Sequence, residues 1–468
     1  MNTDNTPRRS DSGSPFTIVL GAVCLLALMS WLPWGELTGR RMKDFNLLSD
    51  ILHSAPVEYI TEEIIDPALA EALAATEQEE AEATDSVPAA PVADTTPAAA
   101  PAEQSARIDG EMVIEDYSGG EAATRLREAV ASGTLRCAMI GDSYIEGDIL
   151  SGTIRRYLQD KYGGSGVGYA APVSAVAGFR RTVRLTSSGF TACDIRHTRH
   201  DSLHTIPGEF FRAERGATAS FKGEKGGAHT ASWSRSRIVF IAPSAGTIST
   251  SPDGSTWTEH AVEASDGPQC ISVDGETSRF DMRCSVPGLV VLGVWLDSPQ
   301  GVAFDCMSLR GYSGISHRFL SIPTARAMAG WVDYDMIVVE YGMNALSSEQ
   351  SDYTAYGNIM KRVLMRIKAC YPDAAIVMLG VGDRGQKQGT EIGSLPTVAA
   401  IVSAQREAAQ AAGTMFWDTR EAMGGDGAIA DWRSRGLVNA DYIHLNHKGG
   451  EVLGQQFVES LMRLIDEK

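Results

Sequence analysis

The chain has 468 residues, 43% of them hydrophobic and 21% charged, which are the proportions of an ordinary folded protein long enough for two or three domains. Fifty-nine acidic against 41 basic side chains leave a formal net charge of -18. That balance excludes a surface built to neutralise nucleic-acid phosphates, and the seven cysteines show neither a CxxC pair nor zinc-like spacing.

In chain order, a polar tail (1–15) leads into "FTIVLGAVCLLALMSWLPW" (16–34), which carries no charge. That run is about long enough to span a bilayer as a helix. Arg8 and Arg9 precede it, and Arg40, Arg41 and Lys43 follow, so flanking charge does not settle orientation. No A-x-A-like site closes the run, which favours an uncleaved anchor over a signal peptide. The segment 35–107 contains "TEQEEAEATDSVPAAPVADTTPAAAPAEQSAR", rich in Ala, Pro, Glu and Thr and without an aromatic residue. Such a stretch buries too little surface to order itself and reads as a linker.

From about residue 110 the pattern becomes α/β. "TLRCAMIG" (134–141) is a near-continuous apolar run, as expected of a parallel strand buried on both faces. A helix is expected at 149–162, strands at 302–311, 334–342, 374–382 and 414–419, and helices at 352–370, 396–412 and near 450–465. Alternating strands and helices predict a parallel sheet with helices on both faces. The stretch between about 170 and 303 breaks this rhythm with short alternating runs such as "RIVFIAPSAGTIST" and "LVVLGVWL", punctuated by Gly and Pro. It predicts an antiparallel β-sandwich or jelly roll at 172–302, inserted between the two parts of an α/β domain, 108–171 and 303–468. Three tryptophans of the insert, Trp233, Trp257 and Trp295, are candidates either for its core or for stacking on sugar rings. A Cys270–Cys284 disulfide is open if the domain is exported, since spacing alone does not establish the geometry.

Active sites of parallel sheets form at the carboxyl ends of the strands, and each such end here carries a reactive type. Ser143 follows the first strand, Gly314 lies in "GYSGISHR", Asn344 in "GMNAL", and Asp441 and His444 in "DYIHLN" before the last helix. His444 is a candidate general base for a Ser143 nucleophile, and Asp441, three residues upstream, can orient the imidazole. A tetrahedral oxyanion would need donors placed in advance, for which the Ser143 and Gly314 backbone N–H groups and the Asn344 amide are the candidates.

These blocks, "GDS" (141–143), "SG" (313–314), "GMN" (342–344) and "DYIH" (441–444), resemble those of the SGNH (GDSL-type) hydrolases. Within that group, "GVGDRGQ" (380–386), "FWDTREAMGG" (416–425) and the inserted β-domain are similar to exported peptidoglycan O-acetylesterases. The resemblance implies a flavodoxin-like, three-layer fold, no metal or cofactor, and hydrolysis of acetyl esters on a glycan, peptidoglycan first among them. It departs from the pattern at Tyr144, where leucine or histidine is commoner, and in "GMNAL", which lacks the usual acid after Asn344. The sequence thus leads to an esterase anchored in the inner membrane with its body on the periplasmic side. Two other readings stay open: a polysaccharide O-acetyltransferase, although such relatives place their Asp-His pair upstream of the serine, and a non-catalytic glycan-binding protein.

Overall fold

The computed structural model describes residues 106–466, apart from 109 and 390. The expected tail (1–15) and anchor (16–34) lie outside these residues, as does the expected linker except for 106 and 107. Among the described residues, no helix is long and apolar enough to cross a membrane.

Six strands form the central sheet: β1 (Glu115–Asp116), β2 (Thr134–Gly141), β3 (Gly301–Ser308), β4 (Met336–Glu340), β5 (Ala375–Leu379) and β6 (Met415–Trp417). They lie side by side as β3-β2-β4-β5-β6-β1. All neighbours are parallel except β1, which runs against β6 at the edge. The β4 sequence "MIVVE" is rich in β-branched residues and buried throughout, as a strand covered on both faces requires.

Five longer helices cover the sheet: α1 (Glu121–Ser132), α2 (Ser151–Tyr162), α3 (Thr354–Cys370), α4 (Val398–Ala412) and α5 (His447–Asp466). Helices α1 and α2 pack against α5, and α3 packs against α4. The crossover from β2 through α2 to β3 moves one way along the sheet, and those through α3 and α4 move the other way. Right-handed crossovers then put the two groups on opposite faces, giving three layers. In α3 the buried positions Tyr356, Ile359, Met360, Val363, Leu364 and Ile367 recur at three- and four-residue spacing, which is one face of a helix. A Cβ at Gly357 would stand 2.9 Å from the Ala404 carbonyl oxygen, so glycine lets α3 and α4 close. Helix α1 had no expected counterpart. Three of its buried residues are alanines, too weakly apolar to announce a face.

Strand order reverses at β2, with β3 on one side and β4 on the other. The loops leaving these three strands therefore converge at a topological switch point, where parallel sheets bind ligands.

Between α2 and β3 the chain makes an antiparallel, nine-stranded insert. Its first strand, Gly166–Ala170, pairs with Val290–Asp297, upstream of the expected start at 172, and β3 already begins at Gly301, before the expected end at 302. The run "GVGYA" has no polar alternation, which hides its membership of the insert. The long strand Glu209–Gly223 pairs through Phe211 and Arg212 with Val290–Val291, and through its second half with Arg279–Cys284. It thus bends around an apolar core of its own that includes Phe211, Phe221, Trp233, Phe280 and Leu296.

Trp233 and Trp295 are buried, and their indole N–H groups donate to Ser236 Oγ (2.7 Å) and Asp305 Oδ2 (2.8 Å). They are core residues and offer no face to a sugar. The Arg283 guanidinium lies 3.6 Å from the Trp257 ring centroid. Cys270 sits opposite Val239 and Cys284 opposite Ala217. All six described cysteines are free thiols, so the Cys270–Cys284 pairing is absent.

Candidate active site

Strand β2 ends at Gly141, and the chain turns through Asp142 and Ser143 into the short helix Glu146–Asp148. Gly141 stands opposite both Ser308 of β3 and Glu340 of β4. The Ser308 hydroxyl donates to the Asp142 carbonyl (2.7 Å), and Asp142 Oδ1 accepts the Tyr144 N–H (2.9 Å). Tyr144 is buried beneath the turn with its hydroxyl on Met423 Sδ at 3.6 Å. This framework holds Ser143 half-buried at the sheet edge.

His444 arrives from the loop before α5, 301 residues away in sequence, and its Nε2 lies 2.9 Å from Ser143 Oγ. Its Nδ1 lies 2.8 Å from Asp441 Oδ2. The carboxylate can only accept there, so Nδ1 carries the hydrogen and Nε2 is left to receive the serine proton. Asp441 Oδ1 accepts the Ile443 N–H (2.9 Å) and His444 N–H (3.0 Å). The turn is closed by the left-handed Tyr442 (φ 56°), whose carbonyl accepts the Gly385 N–H at 2.9 Å. Partial burial works against the Asp441 charge. The hydrogen bonds from His444 Nδ1 and the two N–H groups outweigh it and hold the carboxyl below its ordinary range.

On the other side of Ser143, Gly314 takes φ 86°, and a Cβ there would meet the Tyr341 ring at 2.6 Å, so glycine is required. Among the described residues, no acceptor takes the backbone N–H of Ser143 or of Gly314. Asn344 is in the same cluster, with its Nδ2 donating to Asp142 Oδ2 (2.7 Å) and to the Tyr312 carbonyl (3.1 Å). Both amide hydrogens are thus engaged. Asn344 ties the Ser143 turn to the Tyr312–Gly314 loop and would have to share or release a hydrogen to meet an oxyanion. The loop is further fixed by His317, fully buried, with Nδ1 3.3 Å from the Tyr312 hydroxyl and Nε2 3.1 Å from the Ile206 carbonyl. Burial pushes the His317 imidazole down to about 4.

Two carboxyls were given no role by sequence reasoning, although Glu340 stands out there as an acid in an apolar strand beside Asn344, where burial would raise its pKa. Asp142 is fully buried and Glu340 is 3% exposed. Burial pushes Asp142 up to about 7, although the Tyr144 N–H, His444 and Asn344 pull the other way. Glu340 is driven up by burial and by the Asp142 charge, and among the described residues its Oε2 has no hydrogen-bond partner. Asp142 has a donor on each oxygen and Glu340 does not, so of the two Glu340 takes the proton and Asp142 keeps the charge. The signal was the acid at the end of an apolar strand, "MIVVE", beside the acid of "GDS". Asp383, in "GVGDRGQ", is also buried, with Oδ2 accepting the Ser394 hydroxyl (2.6 Å) and the Ile429 N–H (2.8 Å). It braces the loops beneath the turn.

Chemically, a hydroxyl on an oriented imidazole next to unengaged backbone donors suits acyl transfer. Residues 300–452 match the model of the GDSL-like lipase/acylhydrolase family. The matched segment contains Gly314, Asn344, Asp441 and His444 and begins after the insert, so it does not reach Ser143. Among solved structures, a peptidoglycan O-acetylesterase is similar over 76% of this chain and 99% of its own, with 19% identity and a TM-score of 0.64, which shows a common fold. A family two carbohydrate esterase from Cellvibrio japonicus aligns over 61% of this chain and 98% of its own, at 12% identity and a TM-score of 0.27, too low to bear on the fold. No curated protein matches the chain in sequence.

Proposed function

We propose that this chain, whose α/β body is an SGNH (GDSL-type) hydrolase domain, is a serine esterase that removes O-acetyl groups from a glycan, peptidoglycan foremost. The observation that carries the reading is the continuous relay of Ser143 Oγ, His444 Nε2 and, through Nδ1, Asp441 Oδ2, at 2.9 and 2.8 Å. In the first half-reaction Ser143 Oγ attacks the acetyl carbonyl as its proton passes to His444 Nε2. The resulting imidazolium is stabilised by Asp441. The oxyanion is met by the N–H groups of Ser143 and Gly314, with Asn344 sharing an amide hydrogen from its bond to Asp142 or Tyr312. Collapse expels the sugar alkoxide, which takes the proton from His444. In the second half-reaction water, deprotonated by the same nitrogen, attacks the acetyl-serine and releases acetate.

The peptidoglycan assignment draws on the sequence resemblance of "GVGDRGQ" (380–386), "FWDTREAMGG" (416–425) and the inserted β-domain. An anchor at 16–34 with the body on the periplasmic side of the inner membrane belongs to the same proposal, because a wall polymer is reached only there. The test is acetate release by a soluble fragment (108–468) from O-acetylated peptidoglycan, acetylated xylan and a simple aryl acetate. Release from peptidoglycan that disappears in Ser143→Ala and His444→Ala is the expected result, with a loss of at least about 10³-fold. Acetyl transfer to an added glycan that outruns hydrolysis would replace esterase by transferase.

A further inference from the structure

The loop between the first two strands of the insert, Gly166–Ala170 and Val183–Asp194, makes one short helical turn at Ala177–Phe179. Phe179, at the end of this turn, is 60% exposed, more than any other large hydrophobic residue among those described. A single exposed ring needs no explanation by itself. This one is set apart by how firmly it is held and by what it is held against.

The residue after it, Arg180, anchors the loop. Its guanidinium donates to Asp148 Oδ2 (3.0 Å) and to the carbonyls of Tyr169 (2.6 Å) and Val167 (2.7 Å). The Phe179 N–H donates to the Val176 carbonyl (3.0 Å). The Phe179 backbone also lies on Gly147 (φ 69°), where a Cβ would stand 2.9 Å from the Phe179 carbonyl oxygen. Gly147 belongs to the short helix Glu146–Asp148 that follows Ser143. The exposed ring therefore stands on a fixed backbone.

The side chain has a fixed neighbour as well. The Arg310 guanidinium lies 5.5 Å from the centroid of the Phe179 ring, an attractive arrangement for a cation. Arg310 is itself held on the Glu146 carboxylate through Nε (2.8 Å) and Nη2 (2.6 Å). The Glu146 N–H donates to the Ser143 carbonyl (3.4 Å), and Arg310 comes shortly before Gly314 in the chain. This ion pair thus bridges the loops that carry Ser143 and Gly314, and Phe179 rests against the bridge. A chain advances at most ~3.6 Å per residue, so Glu146 lies within about 11 Å of Ser143. A short oligosaccharide with an acetyl group at Ser143 reaches the ring.

We propose that the Phe179 ring is a stacking platform for a sugar ring of the acetylated glycan, holding the polymer while one of its esters meets Ser143. The C–H face of a pyranose is flat and apolar, and a rigid aromatic ring covers it at little entropic cost. A lone ring is far too small for a stable protein interface and matches one sugar face. The inference rests on the esterase reading and deepens it. The insert takes part in binding through this loop, whereas its buried Trp233 and Trp295 do not, and the contact asks only for a pyranose, whichever glycan carries the ester.

The test measures kcat and KM for wild type, Phe179→Ala, Phe179→Leu and Phe179→Trp on O-acetylated peptidoglycan, on acetylated xylan and on a small alkyl acetate, which has no ring to stack. On each glycan that the wild type cleaves, Phe179→Ala is expected to raise KM by about 5- to 20-fold, with kcat within about twofold. Phe179→Leu, apolar but not flat, keeps most of that loss, and Phe179→Trp restores the wild-type KM. Alkyl acetate kinetics stay within about twofold for every variant, and because the ring is exposed the melting temperatures stay close to wild type. An unchanged KM on a cleaved glycan for Phe179→Ala, an equal loss on the alkyl ester, or a leucine that serves as well as tryptophan would overturn the platform. A wild-type protein that releases acetate from neither glycan refutes the glycan esterase reading and the platform with it. That outcome is distinct from a working glycan esterase indifferent to Phe179.

Discussion

The loops that bring Ser143 and His444 together are held by opposite means. On the histidine side the carboxylate is 43% exposed and is kept in place by backbone N–H groups inside a four-residue turn. On the serine side the charges are buried. Asp142 is fully buried with Glu340 beside it beneath Ser143, and at the far end of the turn Asp148 is 5% exposed in the left-handed region (φ 63°). Asp148 binds Arg155 of α2 (3.1 Å), Arg180 (3.0 Å) and Thr182 (2.5 Å), the last two at the entry to the insert. Desolvation opposes its charge, but Arg155 and Arg180 outweigh it and pull the carboxyl far below the ordinary range. The comparison teaches that His444 is oriented locally, whereas Ser143 is positioned by contacts from the whole fold.

If that contrast is right, damage on the histidine side should fall on catalysis and damage on the serine side on stability. The largest effect is expected from Asp441→Asn, which should lower kcat on an aryl acetate by up to about 10⁴-fold by spoiling the tautomer, with the melting temperature nearly unchanged. Asp148→Asn should behave in the opposite way. Asparagine tolerates the left-handed backbone, but Arg155, 1% exposed, loses its counter-charge. Urea unfolding should show a loss of about 3–5 kcal/mol, with activity kept at low temperature.

Acid should sharpen the same contrast through His317, which lies against Tyr312 and Tyr341 and senses His204 and Asp194. The imidazole is held neutral when folded, so the unfolded chain takes up its proton first. Stability is then fully present above the ordinary histidine range and falls between about pH 6.5 and about pH 4, by about 3 kcal/mol. His317→Gln should flatten that fall in melts across this window. The smallest effect is expected for Glu340→Gln. The raised Glu340 carboxyl keeps its proton when folded and loses it when unfolded, so it costs stability as pH rises above the ordinary carboxylate range, and the amide should remove that slope. Because Glu340 is already neutral in the working enzyme, kcat should change less than threefold. A tenfold loss would mean that its charge, rather than that of Asp142, holds Asn344.

Much of this was legible in linear form. The strands β2, β4 and β5 are apolar runs that suit only a sheet covered on both faces, and the reactive residues stand at their carboxyl ends because the chain must turn there. Local rules also suffice for Asp441 and His444, whose spacing closes a turn. The insert's boundaries escaped because "GVGYA" carries no alternating signal, and α1 because alanine marks a face too faintly.

What the sequence alone determined is therefore the repertoire: an α/β body, an interruption rich in β-structure, and a serine, a histidine and an acid that can relay a proton. Tertiary structure decided which groups face each other across hundreds of residues. It gave both Asn344 hydrogens to Asp142 and Tyr312, placed Glu340 beside Asp142, and buried the Tyr169 hydroxyl without a hydrogen-bond partner among the described residues. The reason is that burial and pairing set the energy of a polar group, and neither is a property of its neighbours along the chain.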